Sequence, residues 1–211
     1  MAEEITITPF LEEHLDAIVD LHVRSFDPGL NYALILGKPF VRATYRFFLE
    51  DQKSFGFVAW CGGRAVGLAV GRLGYYTNSL NRYRMSAAFA AVLVRPWLVA
   101  NPRMLKKAVS GLLERLRRSG AARSLEGAPS HSDGRTATQA SICVDPDFTR
   151  RQIGSRLLEV FEEYCRAHDM SFLRAGIEPG NEPIRRTYTS RGFVKDEVVS
   201  NEAVLYYYLR L

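Results

Sequence analysis

The chain holds only three cysteines, Cys61, Cys143 and Cys165, in 211 residues. They form no close Cys-x-x-Cys pair and no even-numbered set, so a disulfide framework is excluded and no metal site is expected. No run of about 18 uncharged apolar residues occurs, which excludes an ordinary membrane-spanning helix. No signal-peptide pattern is evident, so reduced thiols and a cytoplasmic location are expected. The basic residues lack the interleaved aromatics of a stacking platform, and no nucleic-acid partner is expected. What remains is ordinary globular material, 47% hydrophobic and 24% charged. A chain of this length can bury a full core without staples. The net charge of +5 suits an anionic ligand without naming one.

The most informative stretch runs over residues 141–168. Ser141-Ile142-Cys143-Val144 reads as the end of a buried strand. Asp145-Pro146-Asp147 breaks it, since proline donates nothing to a ladder and aspartate favours turns. Beyond Arg151, the residues Ile153, Leu157, Leu158, Phe161, Tyr164 and Cys165 recur at helical spacing. The entry to that helix carries Thr149, Arg150, Arg151, Gln152, Ile153, Gly154 and Ser155. Free N–H groups, the positive end of the helix dipole and two arginines are what holds phosphate or pyrophosphate. A residue without Cβ at Gly154 lets an oxyanion approach the backbone. Cys143 and Cys165 lie within apolar periodicity and read as buried structural thiols.

A second motif follows. Gly180-Asn181-Glu182-Pro183 signals a turn and a helix start, and Gly192 signals the helix stop before Phe193-Val194 opens a strand. Asn181, Ile184, Tyr188, Gly192 and Phe193 are spaced by three, seven, eleven and twelve residues from the asparagine.

Taken together, the two motifs resemble the acyl-CoA-binding and following segments of the GCN5-related N-acetyltransferase (GNAT) superfamily. In that family a strand ending in Val-x-Pro leads into Arg/Gln-x-x-Gly-x-Gly/Ala. Here the Arg/Gln position holds Thr149, the first glycine is Gln152, and the second is Gly154. The resemblance is best over residues 140–211. It implies one α/β (α+β) domain over residues 1–211, a central mixed sheet of six to seven strands flanked by helices. It also implies acetyl-CoA as co-substrate and transfer of an acyl group to a primary amine. The backbone of Ile142, Cys143 and Val144 would pair with the pantetheine amides. Residues 149–155 would hold the pyrophosphate, and Asn181 would contact the pantetheine side. Tyr188, its hydroxyl facing outward to the thioester sulfur, would be the general acid.

The N-terminal part fits by pattern. Residues 4–8 alternate as an edge strand, and residues 9–26 carry an apolar stripe of Leu11, Leu15, Ile18, Val19, Leu21 and His22. Residues 38–51 form a second helix, and residues 54–73 a hairpin turning at Gly62-Gly63. In the loop between the two helices, Asn31 and Tyr32 are candidate acceptor contacts, because this loop lines that site in the family. Residues 75–119 are an insertion, read as a helical hairpin broken at Asn101-Pro102. Its second half is basic, with Arg103, Lys106, Lys107, Arg115, Arg117 and Arg118. A solvated face is the plainest reading; a lid, a homodimer contact, or a docking surface for anionic membrane or a carrier protein are the others. Residues 120–137 read as a mobile loop.

Acyl transfer needs a neutral amine, donors for an oxyanion and a proton for the leaving thiolate. The strand before the turn offers Gln139 and Ser141 but no carboxylate until Asp145. Glu178 is the nearest acidic candidate for the base. The insertion favours a sizeable acceptor such as a nucleotide-linked amino sugar. The competing reading is a binding module that holds CoA or an anionic surface without catalysis.

Overall fold

The computed structural model describes residues 4–27, 31–75, 88, 135–197, 200 and 204–211. Seven strands are described: β1 (Ile5–Pro9), β2 (Ser54–Cys61), β3 (Arg64–Leu73), β4 (Thr136–Val144), β5 (Phe172–Ile177), β6 (Val194–Asp196) and β7 (Leu205–Arg210). They form one sheet in the order β1-β2-β3-β4-β5-β7-β6. The pair β4–β5 is parallel and all other pairs are antiparallel. The helices are α1 (Leu15–Ser25), α2 (Tyr32–Leu36), α3 (Lys38–Glu50), α4 (Ile153–Ala167) and α5 (Glu182–Ser190).

Alternation along the strands sends side chains to two separate cores. On one face, Leu68, Val70 and Cys143 pack with Leu15, Ile18, Phe40 and Tyr45 of α1 and α3. On the other, Ala69, Ala137, Leu173 and Ala175 pack with Leu157, Phe161 and Tyr188 of α4 and α5. The helix α4 lies flat because the strand beneath it has glycines. A Cβ at Gly67 would sit 2.8 Å from Ile153 Cγ2 and 2.9 Å from Leu157 Cδ1, and one at Gly71 would collide with the Phe161 ring. Gly71→Ala should therefore cost about 1–3 kcal/mol by overpacking. At roughly 2–4 °C per kcal/mol for a chain of this size, a thermal melt should show a clear fall in Tm.

Several expectations shift. Pro9 ends β1 instead of opening a helix, and a short 3-10 turn at Glu12–His14 precedes α1. The cause is register: Pro9 sits opposite Phe57, and the Phe10 N–H donates to the Gly56 carbonyl. The connection between α1 and α3 contains α2, too short for periodicity to betray. The strand β4 begins at Thr136, inside the expected loop. Small residues there look loop-like, yet Thr136 and Ala137 are fully buried opposite Phe172 and Leu173. Apart from Tyr75, Ala88 and residues 135–137, the expected insertion and loop lie outside the described residues. Among the described residues, no helix is long and apolar enough to cross a membrane.

Candidate active site

The sheet opens at its centre. Strands β4 and β5 pair from Thr136↔Phe172 to Gln139↔Ala175 and no further. Beyond that point β4 continues along β3, as far as Val144 opposite Gly67, while β5 continues along β7 to Ile177 opposite Leu205. The register of β4 against β3 slips between Val70↔Ser141 and Gly71↔Gln139, which leaves Ala140 as an extra, exposed residue. Such a bulge bends its strand and raises the local twist. The inner edge of residues 140–144 thus faces a fork, with backbone groups not paired to β5. Peptide-like ligands bind such edges by strand addition. Ile142 and Val144 turn toward the α4 core, and Cys143 toward the α1–α3 core, so all three meet the fork through their backbone. Burial pushes the Cys143 thiol up to about 12, which leaves it inert at neutral pH.

The turn after β4 is pinned from below. Asp145 is 1% exposed. It accepts hydrogen bonds from Arg24 Nε at 3.0 Å, Arg64 Nη2 at 2.7 Å and the Asp147 N–H at 3.2 Å. Burial alone would raise the Asp145 carboxyl; these donors outweigh it and hold the group below its ordinary value. Its charge is therefore structural, and Asp145 is not a base. Because the folded value is depressed, this contribution is complete above the unfolded value near 3.9 and fades as pH falls through the lower folded one. Acid titration of stability should show that limb. Asp145→Asn should remove it and cost roughly 2–3 kcal/mol, below the usual loss for a fully buried pair because both arginines are partly exposed.

Above this anchor the turn is shaped unusually. Arg150 and Gln152 both adopt left-handed backbone, at φ 63° and 59°. Neither is a glycine, so each stores roughly 1–2 kcal/mol of strain. Residues held so cluster where a loop serves a ligand. Thr149 gives its hydroxyl to the Pro146 carbonyl at 3.1 Å. The Arg151 guanidinium lies over the Phe148 ring at 4.8 Å, with Arg64 over the same ring at 5.5 Å. The N-cap of α4, Gln152, makes no side-chain cap hydrogen bond. By contrast, Asn31 caps α2 through Ala33 N–H and Asn181 caps α5 through Ile184 N–H. The first turn of α4 thus starts without a side-chain cap. Ile153 offers only its amide, since its side chain is buried against the sheet. Gly154 differs from the packing glycines: a Cβ there would meet only Val144 Cγ2, at 3.7 Å. The fold does not require that glycine, but a phosphate cradle does. These residues fit the anionic end of an acyl-CoA.

At the fork itself, Tyr188 is 2% exposed. Its hydroxyl donates to Gln139 Oε1 at 2.8 Å. The outward-facing hydroxyl expected from spacing is thus corrected: α5 packs this tyrosine inward, stacked on Phe193 at 4.6 Å. Its partner belongs to the last residue pair before the strands part. Burial pushes the phenol above its ordinary value, so it is protonated throughout the neutral range. Gln139 is 5% exposed, and its Nε2 has no hydrogen-bond partner. Sequence reasoning placed Gln139 on this strand without finding its role; only the fold joins it to Tyr188. Glu178 follows β5, exposed, with its carbonyl accepting the Asn181 N–H. Arg185 is engaged with Glu182 at 2.6 Å. Asn31 stands at the start of α2, on the α1–α3 side of the sheet.

Residues 120–193 match the family model described as Acetyltransferase (GNAT) family. No curated protein matches the sequence. Among solved structures, the chain is similar to the ribosomal-protein-S18-alanine N-acetyltransferase of Escherichia coli, with 14% identity and a TM-score of 0.58 over 98% of this chain and 94% of that one. It is similar to an acetyltransferase from Thermus thermophilus, with 14% identity and a TM-score of 0.61 over the whole of both chains. It is similar too to the PaiA N-acetyltransferase of Thermoplasma acidophilum in complex with coenzyme A, with 11% identity and a TM-score of 0.60 over 99% of each chain. At such identities the structural likeness speaks for the fold.

Proposed function

We propose that this chain is a member of the GNAT acetyltransferase family, whose model matches residues 120–193, and that it moves the acetyl group of acetyl-CoA onto a primary amine of a small molecule. The observation that carries this reading is the fork between β4 and β5 with the Tyr188 hydroxyl at its base. Bound acetyl-CoA would supply an activated acyl carbon and a thiolate leaving group. The amides of residues 153–155 and the side chains of Arg150 and Arg151 hold its phosphates. The free edge of residues 142–144 aligns its amide arm, with Asn181 beside it. The single Tyr188 O–H, held by Gln139 Oε1 in the free protein, turns to donate a hydrogen bond to the departing sulfur. A thiol has an ordinary value near 8.5 and this phenol lies above 10, so Tyr188 stabilises the thiolate mainly by that bond, without full proton transfer. Glu178 takes the proton of the acceptor ammonium, directly or through water. Asn31 and Tyr32 border the acceptor.

The competing module, which holds CoA or an anionic surface without turnover, would use the Tyr188 hydroxyl only for its bond to Gln139. The test is release of free CoA from acetyl-CoA in the presence of an amine library, with mass detection of the product. CoA binding without any acetylated amine would favour the module.

A further inference from the structure

We infer that Arg174 reads an anionic group on the acceptor, so that the acceptor is an amine carrying a carboxylate. The inference rests on the N-acetyltransferase reading above and deepens it.

Arg174 lies in the middle of β5, opposite Thr138, one pair before the strands part. Leu173, Ala175 and Ile177 enter the α4–α5 core, so alternation puts Arg174 on the other face. The donor turn and Tyr188 belong to α4 and α5. Those helices fill their own face of the fork, which leaves the Arg174 face for the acceptor.

The Arg174 guanidinium lies 3.9 Å over the Tyr206 ring and 5.5 Å from the centre of the Tyr75 ring. Tyr206 pairs with Gly176, two residues further along β5. The arginine therefore leans toward the open end of the fork. Tyr206 is held there by the glycine beneath it, since a Cβ at Gly176 would come within 3.0 Å of the ring.

Four other arginines around the sheet are ion-paired. Arg24 and Arg64 pair with Asp145, Arg72 with Asp51, and Arg191 with Glu162. Among the described residues, Arg174 has no ion pair. Its Nε is buried without a hydrogen-bond partner, and so is the hydroxyl of its cross-strand neighbour Thr138. A half-buried cation without an ion pair carries a free-energy cost, which a ligand meeting the outer N–H groups of the guanidinium can relieve; the buried Nε and the Thr138 hydroxyl are closed to it. Asp196, buried on β6, stands opposite Tyr206.

A guanidinium lying over a ring can still present its N–H edge. That edge is the part that matches a carboxylate with two parallel N–H bonds. Phosphate has the same oxygens but up to two negative charges. A phosphate's second negative charge would find only this one cation among the groups described around Arg174. A single carboxylate balances the site.

The test uses this chain with acetyl-CoA and the twenty common amino acids, each against its carboxamide, with glucosamine as an amino sugar that carries no carboxylate. CoA release gives kcat and KM. The free acid should exceed its carboxamide by roughly thirty-fold or more in kcat/KM. Arg174→Met should raise KM for that acid by roughly a hundred-fold and erase the preference, with kcat at saturation and calorimetric CoA affinity unchanged. Arg174→Lys, which keeps the charge but not the paired N–H edge, should recover part of the loss and guards against a folding defect in the first variant. Preference for the carboxamides or glucosamine, or a preference that survives Arg174→Met, would overturn the inference while leaving the acetyltransferase reading intact. A wild-type chain that binds no CoA would instead remove that reading, and this one with it.

Discussion

Gly154→Glu should abolish useful CoA binding while the chain remains folded. The fold tolerates a side chain there, since a Cβ meets only Val144 Cγ2 at 3.7 Å. Gly154 lies in the first turn of α4, where its replacement also lowers the entropy lost on folding. An added carboxylate about 5 Å from a bound phosphate costs roughly 3 kcal/mol at an effective dielectric near 20, which is about a hundred-fold in affinity. Its bulk adds to this. Calorimetry with CoA should show the loss, and a melt should show Tm held or raised. Gly154→Ala separates size from charge: it should weaken binding less and melt no earlier than the wild type. Equal CoA affinity in wild type and Gly154→Glu would place the phosphates elsewhere.

Tyr188→Phe should lower kcat by roughly a hundred- to a thousand-fold, the usual range for one lost hydrogen-bond donor to developing negative charge. The buried hydroxyl adds an effect that its spacing alone did not foretell. Removing it strands Gln139, whose Nε2 is already without a partner. Stability should fall by about 1–2 kcal/mol, the loss of one net hydrogen bond plus an unsatisfied acceptor. A double replacement divides the two roles. Tyr188→Phe with Gln139→Met exchanges both partners for apolar groups and should recover much of the Tm, without recovering turnover. Turnover restored along with stability would make Tyr188 a packing residue.

Much of the frame was legible because it is local. The stripe Ile153, Leu157, Leu158, Phe161 and Cys165 is buried as its spacing required. Asn181 caps α5 where the turn signal placed it, Pro183 lies in its first turn, and Gly192 follows it at φ 84°. The fork was not legible. It depends on one extra residue, Ala140, in a run of small side chains with little pattern. The anchoring of the turn was hidden for a different reason. Arg24 and Arg64 reach Asp145 across 121 and 81 residues of chain, and Tyr188 reaches Gln139 across 49. No periodicity reports such pairs. The left-handed Arg150 and Gln152 run against the local rule that favours glycine or asparagine there, so sequence alone predicted the turn but not its shape.

The parting of β4 from β5 also divides the protection of the backbone. Along residues 140–144, alternate amides point to β3 and are held in its ladder. Those between them face the fork, where β5 has turned away. Neighbouring amides of one strand should therefore exchange with deuterium at rates set by different events. The first kind waits on opening of the sheet, and the second on local fluctuation alone. A bound acyl donor that completes the edge should slow only the second kind. The strand thus carries its own internal reference, with every other proton reporting occupancy and its neighbours reporting fold.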